Sequence, residues 1–301
     1  MFLGTPAAAV PTLISLAAVT DVVAVVTRPD KPRGRSARPV PSPVKEAAAG
    51  LGLPILQPAN ASELTETLGG IGPIDIGVVT AYGTLIRPEA LAIPTRGFLN
   101  VHFSLLPRWR GPNPVAAALL AGDEETGVSL MLLDQGLDTG SVVAGRTVTI
   151  GRDETAGELT TRLADLGSQI LVEVLPGWVA GAMSATPQPA IGVTHAPKLN
   201  KSDLLLDTSE PAEALARRTR ALAPRPGAVL MVGNVALRVL AGRTIARNLA
   251  EGEVAVLDGR VLVGTGQGAL ELLMVQPPGK RPMAAAAWLR GLRAPPSDKD
   301  S

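Results

Sequence analysis

Residues 22–26, Val-Val-Ala-Val-Val, are apolar at every position. A strand with one face in water alternates apolar and polar side chains. A run without alternation is therefore a strand covered on both faces. Residues 74–80 read as another buried strand, and 54–56 and 97–101 as shorter strands. Helical patterns separate them. Residues 7–18 form one, with Pro11 tolerable only in its first turn. Another begins at Ser42-Pro43, a serine cap followed by proline at the first helical position. A third, 62–68, is read as capped by Ser62. Strands and helices alternating at this spacing predict an α/β fold with a Rossmann-like, doubly wound, mostly parallel sheet. Such sheets bind ligands beyond the carboxyl ends of their strands. Further on, 112–121 reads as a helix, 128–133 and 141–150 as strands, and 155–182 as a long amphipathic helix closing the domain.

The character of the chain then changes. Residues 186–199 are proline-rich with little periodicity, as in a linker. A helix to about Leu222, capped at Ser209, precedes short apolar runs separated by glycine turns, with hairpin signals at Val232-Gly-Asn-Val235 and Asp258-Gly259. This pattern predicts a small antiparallel β-barrel, OB-like, with a last helix over 283–292. The expected domains are 1–183 (catalytic), 184–206 (linker) and 207–301 (C-terminal barrel).

Aromatic residues make up only 2% of a chain that is 46% hydrophobic, so the core must be built from Ala, Val, Leu and Ile. With no cysteine, disulfides, thiolate metal sites and a cysteine nucleophile are excluded, which fits a cytoplasmic protein. No apolar run is long enough to span a bilayer, and the start lacks the pattern of a signal peptide. The net charge of +1 hides two basic clusters. Arg28, Lys31, Arg33, Arg35, Arg38 and Lys45 stand against Asp30 alone, and 198–247 holds nine basic and four acidic residues. Such patches suit a polyanion that is bound and released.

The chemistry concentrates in Asn100-Val-His-Phe-Ser-Leu-Leu-Pro-Arg-Trp-Arg-Gly111 and in Asp138-Thr-Gly140. Asn100 and His102 are two apart in a strand, so their side chains share a face. An amide N–H can hold a developing oxyanion, and an imidazole can move a proton near neutral pH. Asp138, in a loop bounded by Gly136 and Gly140, could orient the imidazole if that loop meets the strand end. Together they suit a tetrahedral intermediate at a carbonyl carbon whose nucleophile comes from a substrate. Ser104 as the nucleophile of a triad lacks the G-x-S-x-G elbow. A single Asp-Thr-Gly in a parallel α/β domain does not suit an aspartic protease. A lone histidine is more often structural than catalytic, and spacing alone leaves both readings open. Two histidines offer no metal cluster, so no metal is expected.

Asn100-x-His102-x-Ser-Leu-Leu-Pro107 with Asp138-Thr-Gly140 resembles the signature of the formyltetrahydrofolate-dependent transferases and hydrolases. Gly4-Thr-Pro6, Val26-Thr-Arg-Pro-Asp30, Arg33-Gly-Arg35, Pro41-Ser-Pro-Val-Lys45, Ala81-Tyr-Gly83, Arg108-Trp-Arg-Gly111, Ala196-Pro-Lys198 and Gln276-Pro277 narrow the resemblance to the methionyl-tRNA formyltransferases, over nearly the whole chain. That family moves a formyl group from 10-formyltetrahydrofolate, a co-substrate, to the α-amino group of methionyl initiator tRNA. The resemblance implies that Asn100 binds the formyl oxygen, His102 protonates the intermediate and Asp138 positions His102. It implies that Ser104, Leu105, Leu106 and Pro107 line the folate site, with Tyr82, Gly83 and 134–137 near the pterin. Arg33, Arg35 and Arg38 in the loop 28–41, and Arg217 and Arg220 in the C-terminal part, are implied to contact tRNA. A monomer is expected. The alternative is a formyltransferase for a small amine, such as a nucleotide sugar or glycinamide ribotide, which would not need the basic loop or the C-terminal domain. The chain departs from the family pattern at Ala7-Ala-Ala9, where an acidic-aromatic-alanine sequence is usual, and at Phe103, where a small residue is usual.

Overall fold

The structure is a computed structural model that describes residues 1–32 and 38–291. The chain divides into two compact units. The first comprises residues 1–114, 125–149 and 160–197, and the second 115–124, 150–159 and 198 onward.

The first unit is organised by a seven-stranded sheet. Its strands are β1 (Phe2–Gly4), β2 (Val25–Val26), β5 (Ile55–Leu56), β6 (Gly77–Thr80), β7 (Phe98–His102), β8 (Glu125–Leu132) and β9 (Val142–Thr149), in the order β5-β2-β1-β6-β7-β8-β9. The first four pairings are parallel and the last two antiparallel, so the sheet is mostly parallel, as expected. The chain winds from β1 outward through β2 to β5, then returns to the other side of β1 with β6 and β7. The strand order therefore reverses between β1 and β6, which places a crevice at their carboxyl ends. The Thr5 hydroxyl spans that crevice, donating to the Tyr82 carbonyl at 3.1 Å.

Residues 22–26 contribute only Val25 and Val26 to the sheet, but Val22 and Ala24 are buried with them, so the apolar run marks burial more than pairing. β1, three residues long, is fully buried at the centre of the sheet. One face carries Leu3, Val26, Val79 and Phe98 against Leu64 and Leu68 of α3 (Ala61–Gly69) and Ala90 of α4 (Pro88–Leu91). On the other face, Val101 meets Gly167 of α6 (Ala156–Val179), where a Cβ would collide with the valine. α1 (Val10–Val19) follows a 3-10 turn at Ala7–Ala9. α2 (Pro43–Gly50) begins as the sequence indicates, with Ser42 accepting from the Lys45 amide at 3.0 Å. α3 does not begin at Ser62. Asn60, still extended, caps it by accepting from the Ser62 and Glu63 amides, because its carboxamide reaches both from one position.

Strands β3 (Lys31–Pro32) and β4 (Pro39–Val40) pair at the base of the basic loop. A closed ring of hydrogen bonds fastens that base. Lys45 Nζ donates to Asp30 Oδ2 and Gln57 Oε1, each at 2.7 Å, and Gln57 Nε2 donates to Asp30 Oδ1 at 2.8 Å and the Arg28 carbonyl at 2.9 Å. Lys45 and Gln57 hold the Asp30 carboxyl below the usual carboxylate range.

The second unit holds α5 (Pro114–Ala121, from Val115 on), α7 (Ala212–Leu222), α8 (Ala285–Gly291) and strands β10 (Ala228–Val232), β11 (Val235–Ile245), β12 (Val254–Leu257), β13 (Arg260–Gly264), β14 (Ala269–Gln276) and β15 (Met283–Ala284). The strands form an antiparallel sheet in the order β10-β11-β14-β13-β12, with β15 on β14. Both hairpins are present, closed by Val232↔Val235 and Leu257↔Arg260. Asp258 and Gly259 both have positive φ (53° and 74°), the backbone that a tight two-residue turn requires. Among the described residues no ladder joins β10 to β12, so the observed architecture is an antiparallel sheet with two edges. Its core packs Leu230, Leu237, Val239, Leu270 and Leu272 against Leu215 and Leu222 of α7 and Trp288 of α8. α7 starts after Pro211 without a side-chain cap, because Ser209 is bound to Asp207 Oδ1 instead.

Candidate active site

Asn100 and His102 lie in β7, the last of the parallel strands, on the face that carries Val79 and Phe98. Both are buried, at 8% and 6% relative exposure, so charge that develops beside them is poorly screened by water. His102 Nε2 lies 2.9 Å from the Trp109 carbonyl. A carbonyl only accepts, so Nε2 carries a proton, and in the neutral ring Nδ1 carries the lone pair. Nδ1 faces Asp138 Oδ2 at 3.7 Å. That span exceeds a hydrogen bond, and in unliganded sites such contacts are commonly long. The two loops that spacing alone could not join do meet. Among the described residues, no hydrogen bond engages the Asn100 carboxamide, which leaves it available to a ligand.

Local geometry explains why these residues meet. Asp138 has a positive φ of 52°, uncommon for a non-glycine residue. Its Oδ2 accepts from the Gly111 amide at 2.7 Å. At Gly140 a Cβ would collide with the Leu132 carbonyl, and at Gly111 it would lie 2.6 Å from the Ala196 carbonyl, so both glycines are required by close approach. On the other side, the Ser104–Pro107 turn is fastened to β8 through Ser129. The Ser129 hydroxyl donates to the Ser104 carbonyl at 2.8 Å and accepts from the Leu106 amide at 3.0 Å. The Leu106–Pro107 peptide is cis.

Ser104 is fully buried and its hydroxyl donates to the Arg108 carbonyl at 2.6 Å. It is committed to the turn. Leu105, Leu106 and Pro107 are half-buried along the same turn. Leu85 and Leu137, by contrast, are exposed at 74% and 62% in the loops that hold Tyr82–Gly83 and Asp138. Tyr82 itself is buried, and burial pushes its phenol up to about 12; Thr84 lies near the hydroxyl but without hydrogen-bond geometry. A buried hydroxyl without a partner costs about 1–3 kcal/mol. Tyr82→Phe is accordingly expected to keep or raise the melting temperature, measured by thermal unfolding. A marked fall would show that the hydroxyl has a partner in the folded protein.

Of the residues expected to bind tRNA, Arg33 and Arg35 lie outside the described residues. Arg38 is exposed. In the second unit, Arg217 and Arg220 are half-buried. Arg217 pairs with Glu213 at 2.8 Å, and Arg220 donates to the Glu154 carbonyl at 3.4 Å. Burial lowers the Arg220 guanidinium from its usual range. Spacing marks Glu213, one helical turn before Arg217, but gives no sign of Glu154, which is far away in sequence.

Ser129, Thr194 and Gln188 also shape the site and were not anticipated. Thr194 and Gln188 come from the proline-rich segment expected to be a linker. That segment is held along its length, by Thr186 to Val142 and by 194–196 to Arg110. The Trp109 amide donates to Thr194 Oγ1 at 2.9 Å. No helical or strand period runs through this segment, so nothing local marked these side chains. Among the described residues, no group of three or more His, Asp or Glu side chains is placed to hold a metal ion, and no helix is long and apolar enough to cross a membrane.

Comparison with known proteins agrees with this geometry. Residues 7–175 match the formyl transferase family and 198–293 its C-terminal domain. The chain is 48% identical over 303 residues to a methionyl-tRNA formyltransferase of Halorhodospira halophila, covering 99% of this chain and 97% of the relative. It is 45% identical to that of Streptomyces coelicolor, covering 97% and 96%. Among solved structures, HypX from Aquifex aeolicus in complex with tetrahydrofolic acid shares the fold (TM-score 0.63, 20% identity, 80% of this chain and 43% of that one). So does the N-formyltransferase from Helicobacter canadensis in complex with folinic acid and dTDP-3-aminofucose (TM-score 0.69, 14% identity, 90% and 97%). A buried Asn–His pair at the end of a parallel strand, met by an aspartate loop, is thus found in a chain that belongs to the methionyl-tRNA formyltransferase family.

Proposed function

We propose that this protein transfers the formyl group of 10-formyltetrahydrofolate to the α-amino group of methionyl initiator tRNA, giving N-formylmethionyl-tRNA for translation initiation. The observation that carries this reading is the convergence of Asn100, His102 and Asp138 at one strand end in a chain of this family. An α-amino group titrates at about 7.7–8.0, so a useful fraction is already neutral near pH 7 and no strong base is required. The amine attacks the formyl carbon, a C–N bond forms, and the carbonyl electron pair moves to oxygen. The Asn100 amide donates to that oxyanion. The proton released from the attacking nitrogen passes through His102, oriented by Asp138, to N10 of the folate. The bond from carbon to N10 then breaks, and tetrahydrofolate leaves as the neutral amine.

The turn formed by Ser104, Leu105, Leu106 and Pro107 shapes the folate site, with Tyr82 and Gly83 on its far side. The exposed Leu85 and Leu137 offer apolar surface on which the flat face of a pterin ring can pack, and this supports the assignment. Arg33, Arg35 and Arg38, carried on a loop whose base is fastened by Lys45 and Gln57, are proposed to meet the acceptor end of the tRNA. Arg217 and Arg220 are proposed to contribute from the C-terminal domain through their exposed edges. The working protein is taken to be a cytoplasmic monomer with domains 1–183 and 207–301, joined by 184–206, and its C-terminal sheet to curl in the manner of a barrel. The test is incubation with 10-formyltetrahydrofolate and methionyl initiator tRNA, beside methionyl elongator tRNA, a nucleotide amino-sugar and glycinamide ribotide. Formylation of the initiator tRNA well above all others is the expected result. Preference for either small amine would overturn the assignment.

A further inference from the structure

Gln188 makes four hydrogen bonds with one half-buried carboxamide. Its Nε2 donates to the Asp138 carbonyl at 2.8 Å and to the Gly140 carbonyl at 2.8 Å. Its Oε1 accepts from Arg110 Nε at 3.0 Å and Arg110 Nη2 at 2.7 Å. Both of its N–H donors are used, and the oxygen takes two more bonds, the full capacity of a carboxamide. The partners are not arbitrary. One pair is the backbone of the loop that carries the Asp138 carboxylate. The other is the side chain next to Gly111, whose amide holds that same carboxylate at 2.7 Å.

We propose that Gln188 is a positioning residue for Asp138, joining the backbone of the aspartate loop to Arg110 of the His102–Gly111 segment. The proposal rests on Asp138 acting with His102 in formyl transfer. Asp138 sits at positive φ, a conformation that persists only where its surroundings hold it. The two bonds from Nε2 fix the carbonyls on either side of Thr139. Arg110, besides meeting Gln188, is paired through its backbone with Thr194 and Ala196, at 2.9 and 2.7 Å. Residues 188–196 therefore form a brace along both loops. Without the Gln188 donors, the aspartate loop is free to relax and its carboxylate to move away from His102 Nδ1. A displacement of about 1 Å in a catalytic group can cost roughly 100-fold in rate.

Gln188→Ala and Gln188→Glu test this in the full-length protein. The glutamate keeps an acceptor for Arg110 but has no donor for the two carbonyls. Both variants are expected to lose about 10- to 100-fold in kcat, with KM for 10-formyltetrahydrofolate and for methionyl-tRNA little changed and a melting temperature near that of the parent. In an Asp138→Asn background, adding Gln188→Ala is expected to cost less than about twofold more, since residues acting through one group are not additive. If Gln188→Ala does not fold, the glutamate variant decides. Parental kcat in Gln188→Glu, a loss confined to KM, or a full multiplicative loss in the double variant overturns the proposal alone. Parental turnover in Asp138→Asn overturns the catalytic reading of Asp138 and the proposal with it.

Discussion

His102→Ala is expected to abolish formyl transfer, with kcat down roughly 10²–10⁴-fold, while tRNA affinity stays close to the parent value. The loss combines two effects. The imidazole lies between the Trp109 carbonyl and the Asp138 carboxylate and can carry a proton both ways. Its removal also takes away the hydrogen bond between His102 Nε2 and the Trp109 carbonyl, a cost to stability of about 1 kcal/mol. His102→Gln separates the two, since a carboxamide can still donate to that carbonyl but cannot shuttle a proton. Single-turnover rates at saturating substrate, beside equilibrium binding of methionyl-tRNA, read both. Turnover in either variant near the parental rate would sink the mechanism.

The second large effect is expected at Asn100. On the proposed mechanism, Asn100→Ala removes the buried amide donor that meets the developing oxyanion, and such donors are worth roughly 10²–10³ in kcat. The rate alone should fall, because the interaction strengthens as the formyl oxygen becomes an oxyanion. Asn100→Asp should be at least as harmful. Its carboxylate would face the oxyanion with like charge, in a site at 8% exposure where water screens little. Steady-state kinetics at varied 10-formyltetrahydrofolate give the split between kcat and KM. A change confined to KM would make Asn100 a folate-binding residue and not an oxyanion donor.

Much of the fold could be read from residue order because its signals are local. Ser42-Pro43 starts α2 where the cap chemistry says it should, and the two hairpins of the second unit close on their glycine turns. Buried runs marked the parallel strands, although only Val25 and Val26 of residues 22–26 join a ladder. Where two local signals competed, reading failed. Asn60 capped α3 in place of Ser62, and Asp207 drew Ser209 away from α7. The expected barrel depended on a closing ladder between distant strands, and no local pattern encodes one.

The active site divides along the same line. That Asn100 and His102 share a face follows from a two-residue spacing in a strand. That Ser104 is no nucleophile was suggested by the missing elbow, and its bond to the Arg108 carbonyl agrees. The family and its chemistry were legible in the ordered motifs, and the comparisons bear this out. Three-dimensional packing alone brought Asp138 to within 3.7 Å of His102, by letting Gly111 approach the Ala196 carbonyl, and Gly140 the Leu132 carbonyl, more closely than any side chain would allow. It also made a brace of the proline-rich segment at 188–196. Spacing along a chain reports which side chains share an element. Contacts between loops depend on backbone hydrogen bonds and close approaches among residues that are far apart in sequence, such as Gln188 and Asp138, and those exist only once the chain has folded.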